Sequence, residues 1–275
     1  MVDYSFASSI LTYVWFHHFS FYEDFMTVIR QQDLIDSIQD ALQFISFYHP
    51  LDYVKAVEEA YNREQSKAAK DAMAQILINS RMSAEGKRPL CQDTGIVTCF
   101  VKIGMQVSFD KFDMTVQEMV DEGTRRAYLD PDNPLRASIV ADPAGTRVNT
   151  KDNTPAVVHI DMVPGDKIEV MIAAKGGGSE NKSKMVMLNP SDDIADWVVK
   201  TLPTMGAGWC PPGMLGIGIG GTAEKAAVLA KESLMDPVDI QGLIDRGPQT
   251  TEEKLRVDIY NKVNALGIGA QGLGG

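Results

Sequence analysis

The amino-acid sequence predicts an α+β fold: a helical N-terminal layer packed on a mixed or antiparallel sheet. Three observations predict it. Apolar residues recur at helical spacing from Leu34 to Leu77. After Pro89 the texture switches to the two-residue alternation of strands, and helical spacing returns after Ser191. Helices first, strands next and helices again is the order of segregated layers rather than of a regular βαβ wind.

The elements follow in chain order. Leu34, Ile38, Leu42 and Ile45 share one helical face, as do Val54, Val57 and Tyr61, then Ala69, Met73, Ile76 and Leu77. Pro50 separates the first two helices, and Ser66 stands as the N-cap of the third. Residues 96–103 alternate, with Val97, Cys99, Val101 and Ile103 on one face. Residues 157–162 and 167–173 read as two strands of a hairpin around Val163-Pro164-Gly165-Asp166. Ser191-Asp192-Asp193 caps a helix that buries Ile194, Trp197 and Val198 and stops before Pro203. Thr222 opens another helix with Ala226, Leu229 and Leu234 inward, and residues 252–266 form the last, ended by Gly267.

Composition bounds the function. The chain has 275 residues, 44% of them hydrophobic, which is ample for a packed core. A net charge of −11 with no Lys/Arg cluster argues against a nucleic-acid binder. No apolar run is long enough for a membrane span. Three cysteines in a chain of this length do not make a disulfide scaffold and point to a reducing, cytoplasmic compartment. Residues 1–25 hold nine aromatics and no Lys or Arg, so the basic start of a signal peptide is missing. They read as an upstream extension from a misplaced start codon, with 26–275 the functional unit. The chain stops in GIGAQGLGG, which looks like the middle of a loop, so more protein is expected to follow.

The thiols separate by context. Cys99 lies on the apolar face of its strand, where a free cysteine acts as a small hydrophobe. Cys91 and Cys210 lie in the Pro/Gly-bounded loops RPLCQDTG and GAGWCPPG, as buried filler or as metal ligands aimed by rigid backbone. Outside the aromatic stretch the histidines are His49 and His159, and His159 falls on a polar strand face, so a Cys–His nucleophile has little support. Asp93 can serve proton transfer near a Lewis acid, the Gln92 amide can hold a carboxylate, and Arg136 can clamp one bidentately. Each is also an ordinary loop residue. The cluster AAKGGGSENKSK puts Gly176, Gly177 and Gly178 at a strand end, where either an anion-holding loop or a polar hairpin fits. Gly216, Gly218 and Gly221 satisfy G-x-G-x-x-G before a helix and admit a different class, an NAD(P)-binding oxidoreductase. The prolines of WCPPGML just ahead do not suit the strand this motif requires.

Together the motifs CQDTG (91–95), NPLRAS (133–138), NTKDNTPAVVH (149–159), AAKGGGSENKSK and PTMGAGWCPPGMLGIGIGGTAEKAAVLAKESL resemble class I, iron–sulfur-dependent fumarate hydratases. The resemblance runs from about Met26 to Gly275 and is shared with L-tartrate dehydratase alpha subunits. It implies the N-terminal domain type of that family and reversible hydration of fumarate to (S)-malate, a step of the tricarboxylic acid cycle. It also implies a [4Fe–4S] cluster as Lewis acid, with Cys91 and Cys210 as two of its three cysteine ligands and the third beyond Gly275. Asp93 would act in catalysis, and Gln92, Asp93, Arg136 and Gly176–Gly178 would bind the dicarboxylate. The implied partners are the family's C-terminal domain or beta subunit and a second copy in a homodimer. Without that domain the chain is expected to be inactive. Fumarate, tartrate and mesaconate are not separated by these motifs.

Overall fold

A computed structural model describes residues 26–275; the expected extension, 1–25, lies outside the described residues. The architecture is α+β, as expected. The helices are α1 (Gln31–Phe47), α2 (Leu51–Arg63), α3 (Lys67–Gly86), α4 (Val116–Tyr128), α5 (Gly177–Glu180), α6 (Ile194–Thr201), α7 (Ala223–Glu232), α8 (Ile240–Arg246) and α9 (Thr251–Asn264). The strands are β1 (Thr27–Ile29), β2 (Ile96–Gly104), β3 (Val107–Phe109), β4 (Val140–Ala141), β5 (Val148–Asn149), β6 (Val157–Val163) and β7 (Ile168–Lys175).

The main sheet has the order β6-β2-β7, with β2 parallel to β6 and antiparallel to β7. This corrects the expected hairpin. β6 and β7 are joined by the predicted turn, yet β2 lies between them. The reason is in β2 itself. Val97, Cys99, Val101 and Ile103 are buried on one face, and Thr98 and Phe100 are buried on the other. A strand apolar on both faces belongs at the centre, whereas β6 exposes Val157, Ile160 and Met162 and suits an edge. The turn wraps the end of β2 instead of closing a ladder, since Met105 N–H donates to Val163 O and Gln106 N–H to Gly165 O.

Helices α1 and α4 cover the odd-numbered face of β2. Leu34, Ile38 and Leu42 of α1 meet Met119, Val120, Ala127 and Tyr128 of α4 in one core with the strand. Burying side chains of this size stabilises by roughly 1.5–3 kcal/mol each. Helix α4 has no place among the expected elements. Its signal is the capping box at Thr115 and Glu118, where each side chain satisfies the other residue's backbone N–H. Helices α2 and α3 make a second cluster around Val57, Ala69 and Met73, and Ser66 caps α3 as expected by accepting from Ala69 N–H. The C-terminal glycine-rich segment docks there through buried Ala270. A third cluster joins α6 and α9 through Ala195, Val198 and Ile259. Among the described residues no helix is long and apolar enough to cross a membrane.

Candidate active site

The CQDTG loop links the end of α3 to the start of β2, and its halves differ in burial. Cys91 and Gln92 are exposed, Asp93 and Thr94 are intermediate, and Gly95 is buried. Leu90 anchors the entrance: its N–H donates to Ser46 O of α1, and its carbonyl accepts from Asn79 of α3. Gly95 anchors the exit. Its backbone sits at φ +92°, and a Cβ there would lie 2.5 Å from the Ala174 carbonyl carbon of β7, so only glycine fits. Its carbonyl accepts from Tyr128 OH at 3.1 Å and from Asn153 Nδ2 at 3.0 Å. Burial pushes the Tyr128 phenol up to about 12, against a lowering hydrogen bond to Thr94. It remains a neutral donor.

The Asp93 carboxylate is the hub of the loop. Oδ1 accepts from Gly95 N–H at 3.2 Å and from Ser138 Oγ at 3.1 Å, and Oδ2 accepts from Gly177 N–H at 2.7 Å. Hydrogen bonds to a carboxylate are stronger than neutral ones, so three of them fix the group firmly. Cys91 Sγ lies on the same strip, 3.2 Å from Gln92 Oε1, and accepts from Asp93 N–H at 3.5 Å. The NPLRAS segment runs alongside. Thr94 Oγ1 donates to Arg136 O at 2.7 Å. The Arg136 side chain is exposed and makes no ion pair among the described residues.

The two glycine loops meet behind Asp93. A Cβ on Gly178 would lie 2.8 Å from the Gly208 carbonyl oxygen, so the GGG loop and the GAGWC loop are in backbone contact. Two residues on stands Cys210, exposed, with a left-handed backbone at φ 55°. Such a conformation is costly for a non-glycine residue and is found at sites the surrounding structure over-determines. Here Cys210 N–H donates to Ala207 O, and Pro211 O accepts both N–H and Nε2 of Gln271. Beneath the GGG loop, Glu180 bridges Lys231 and Lys175, the latter at 3.0 Å. Burial pushes the Glu180 carboxyl up, but the two lysines outweigh it and hold it below the usual carboxylate range.

The structure thus gathers Cys91, Gln92, Asp93, Arg136 and Gly176–Gly178 and places the Cys210 loop against them. Cys99 is apart, fully buried in β2, and burial pushes its thiol up to about 12. His49 is engaged with Ser80 and lies tilted against the Tyr53 ring, and burial lowers its basicity. His159 stacks on Phe100 instead of standing in solvent. Neither is partnered with a cysteine. Lys175, just ahead of the three glycines, is neutralised by Glu180, whereas Lys182 makes no ion pair among the described residues and lies along Gly208. The alternative fingerprint lacks its strand: residues 213–219 are irregular, and Gly216 and Gly218 lie directly against the α7 backbone at Ala230 and Ala226. Sequence reasoning missed Ser138, Asn153, Tyr128 and the Glu180–Lys231 pair. The motifs NPLRAS and NTKDNTP contain the first two, but their roles depend on contacts between loops.

Among the described residues no three His, Cys, Asp or Glu side chains gather as a metal site. The donor chemistry nonetheless suits iron and sulfide. Cys91 and Cys210 are exposed thiols on fixed loops, and the first already receives a backbone N–H, as cluster sulfurs do. They are two soft donors, where a cysteine-ligated [4Fe–4S] cluster takes up to four.

Known proteins are similar to this chain in sequence. The family model described as fumarate hydratase (Fumerase) matches residues 35–275. A candidate L(+)-tartrate dehydratase subunit alpha of Methanocaldococcus jannaschii is 36% identical over 248 residues, covering 87% of this chain and 84% of that protein. The L(+)-tartrate dehydratase subunit alpha of Escherichia coli O157:H7 is 30% identical over 249 residues, covering 88% and 78%.

Proposed function

This chain belongs to the fumarate hydratase family, and we propose that it is the thiol-bearing part of a hydro-lyase that interconverts fumarate and (S)-malate. The observation that carries the reading is the strip from Cys91 to Asp93, with a thiol, an amide and an immobilised carboxylate side by side and a free Arg136 guanidinium on the adjoining segment. Cys91 and Cys210 would hold a [4Fe–4S] cluster, which when bound supplies a Lewis acid for the substrate hydroxyl. A further donor would come from outside the described residues.

The chain's own side chains do the rest. Arg136 clamps one substrate carboxylate with two parallel N–H bonds. Gln92 Oε1 faces the Cys91 thiol, so Nε2 is left to donate to a substrate oxygen. Gly177 N–H is committed to Asp93, which leaves the Gly178 N–H of the same turn for the second carboxylate. Gly176 keeps the space open, since a Cβ there would stand 3.3 Å from Asp93 Oδ2. Asp93 orients the proton-abstracting group, which the partner supplies. The name "subunit alpha" of the relatives supports a second chain as that partner. We further assign the pair to a homodimer and, from the cysteine usage, to the cytoplasm.

The relatives' names favour a second substrate, L(+)-tartrate, whose dehydration needs the same groups and tolerance of one more hydroxyl. One experiment tests both. The chain is produced with its partner chain, reconstituted anaerobically with iron and sulfide, and assayed on malate and tartrate, and its mass is measured in solution. Turnover of malate above tartrate supports the first reading, and the reverse supports the second. Iron that is retained without turnover of either substrate removes the dicarboxylate reading.

A further inference from the structure

We propose that Asn153 is a positioning residue that sets the register between Asp93 and Arg136, with Ser138 and Thr94 as its two outer links. Its kinetic consequences rest on the hydro-lyase reading; its structural ones do not. Asn153 is fully buried, and its backbone holds the left-handed conformation (φ 61°) that Asn tolerates better than most residues. Every polar atom of its side chain faces the site loops. Nδ2 donates to Gly95 O at 3.0 Å, and Oδ1 accepts from Ser138 N–H at 2.7 Å and Ile139 N–H at 3.3 Å. None of these partners belongs to a helix or to the three-stranded sheet. The amide therefore joins the end of CQDTG to the end of NPLRAS.

From that pin two short links run outward. Ser138, whose N–H is held by Asn153, sends its hydroxyl to Asp93 Oδ1 at 3.1 Å. Thr94, next to the pinned Gly95, sends its hydroxyl to the carbonyl of Arg136 at 2.7 Å. A ladder of three cross-links thus fixes how far the carboxylate stands from the backbone that carries the Arg136 side chain. A substrate clamped by Arg136 while Asp93 orients its base needs that spacing, and a displacement near 1 Å at such a site costs up to about a hundredfold in rate. Asn149 braces the same segment through Ala137 O at 2.8 Å. It reaches neither Asp93 nor Gly95, so Asn153 stands as the shared node.

The test compares wild type with Asn153→Asp, Ser138→Ala, Ser138→Thr and Thr94→Val, each in the full chain reconstituted with its partner chain. Asn153→Asp keeps the shape and both acceptor contacts but sets a carboxylate oxygen against Gly95 O. The expected result is a fall in kcat of about ten- to a hundredfold with iron content unchanged. Ser138→Ala should lower kcat with little change in KM, Ser138→Thr should restore it, and Thr94→Val should mainly raise KM. A purely structural role would not divide kcat from KM in this way. If Asn153→Asp does not fold, the Ser138 and Thr94 variants decide, and wild-type kcat and KM in both overturn the proposal. A second readout is independent of turnover: amide deuterium exchange should quicken in 91–95 and 136–139 of Ser138→Ala and Thr94→Val and nowhere in the three-stranded sheet. If wild type turns over no dicarboxylate, the functional reading fails and exchange alone rules. Unchanged exchange in those segments, or exchange raised throughout, overturns the pin.

Discussion

Replacing Gly178 by alanine should separate the two glycine loops without unfolding the protein. The added Cβ would meet the Gly208 carbonyl oxygen at 2.8 Å, and ordinary contact begins near 3.4 Å, so the loops must part by about 0.6 Å. Neither atom is the end of a flexible side chain, and the strain falls on backbone. Overpacking of this kind costs about 1–3 kcal/mol. Alanine gains up to about 1 kcal/mol over glycine in a helical turn, which offsets part of it. The net is about 0–3 kcal/mol, and at about 2–4 °C per kcal/mol the melting temperature should fall by less than about 12 °C. Function should suffer more. Gly178 sits one residue from the N–H that holds Asp93, and Gly208 sits two residues from Cys210. A shift of that size should lower kcat/KM by about tenfold or more and reduce bound iron. The assays are calorimetry, iron per chain after anaerobic reconstitution, and initial rates on malate and tartrate. A protein with wild-type iron and rates would refute the reasoning, because the contact would then have no bearing on the site. So would an activity loss that merely tracks the unfolded fraction.

Other outcomes follow from single features. Thr124 Oγ1 is fully buried on α4 with no hydrogen-bond partner. Thr124→Val keeps the shape and should stabilise by about 1 kcal/mol, read as a higher urea midpoint with unchanged slope. Cys99 should resist alkylation in the native protein, because its thiol is buried and pushed up to about 12, while Cys91 and Cys210 react until a cluster is loaded. Peptide mass analysis before and after urea checks this. Glu180 is held below its ordinary range by Lys231 and Lys175 despite burial. A depressed carboxyl stabilises the fold above its unfolded pKa, about 4.3, and that contribution is lost as pH falls through the folded value. Wild type should therefore lose stability below about pH 4.3 more steeply than Glu180→Gln in acid denaturation curves.

The sequence was most legible where one residue decides a local outcome. Ser66 and Asp193 cap the helices their positions suggest, and the apolar faces of α1 and β2 are buried as their spacing requires, while that of α2 is fully buried at Val57 alone. It was least legible where the outcome depends on pairing between distant segments. The turn at Pro164–Gly165 is compatible with a hairpin, and nothing local says that β2 will insert between its arms. Helix α4 was passed over because its buried set includes Gly123 and Thr124, which break the apolar stripe, although its capping box is explicit. At the site, Cys91, Gln92, Asp93 and Arg136 are recognisable by chemistry. Ser138, Asn153 and Tyr128 are not, since a serine, an asparagine and a tyrosine acquire roles only from what the fold places against them.

The CQDTG motif divides into two physical tasks at the Asp93–Thr94 bond. Toward the N-terminal side the groups are at least partly accessible and chemically varied, and their side chains face one another. Toward the C-terminal side, Gly95 is in a conformation and a space open to glycine alone, with its carbonyl held by two buried side chains. Asp93 belongs to both halves. Its oxygens are bound by Gly95 of its own loop, by Ser138 of the NPLRAS segment and by Gly177 of the third loop. A carboxylate used only to exchange protons would need no such restraint, and one used only as a structural brace would not need to stand two residues from an exposed thiol. The same atoms that hold three loops together therefore set how the Asp93 carboxylate is oriented, and the precision of that placement follows from the stability of the loop junction.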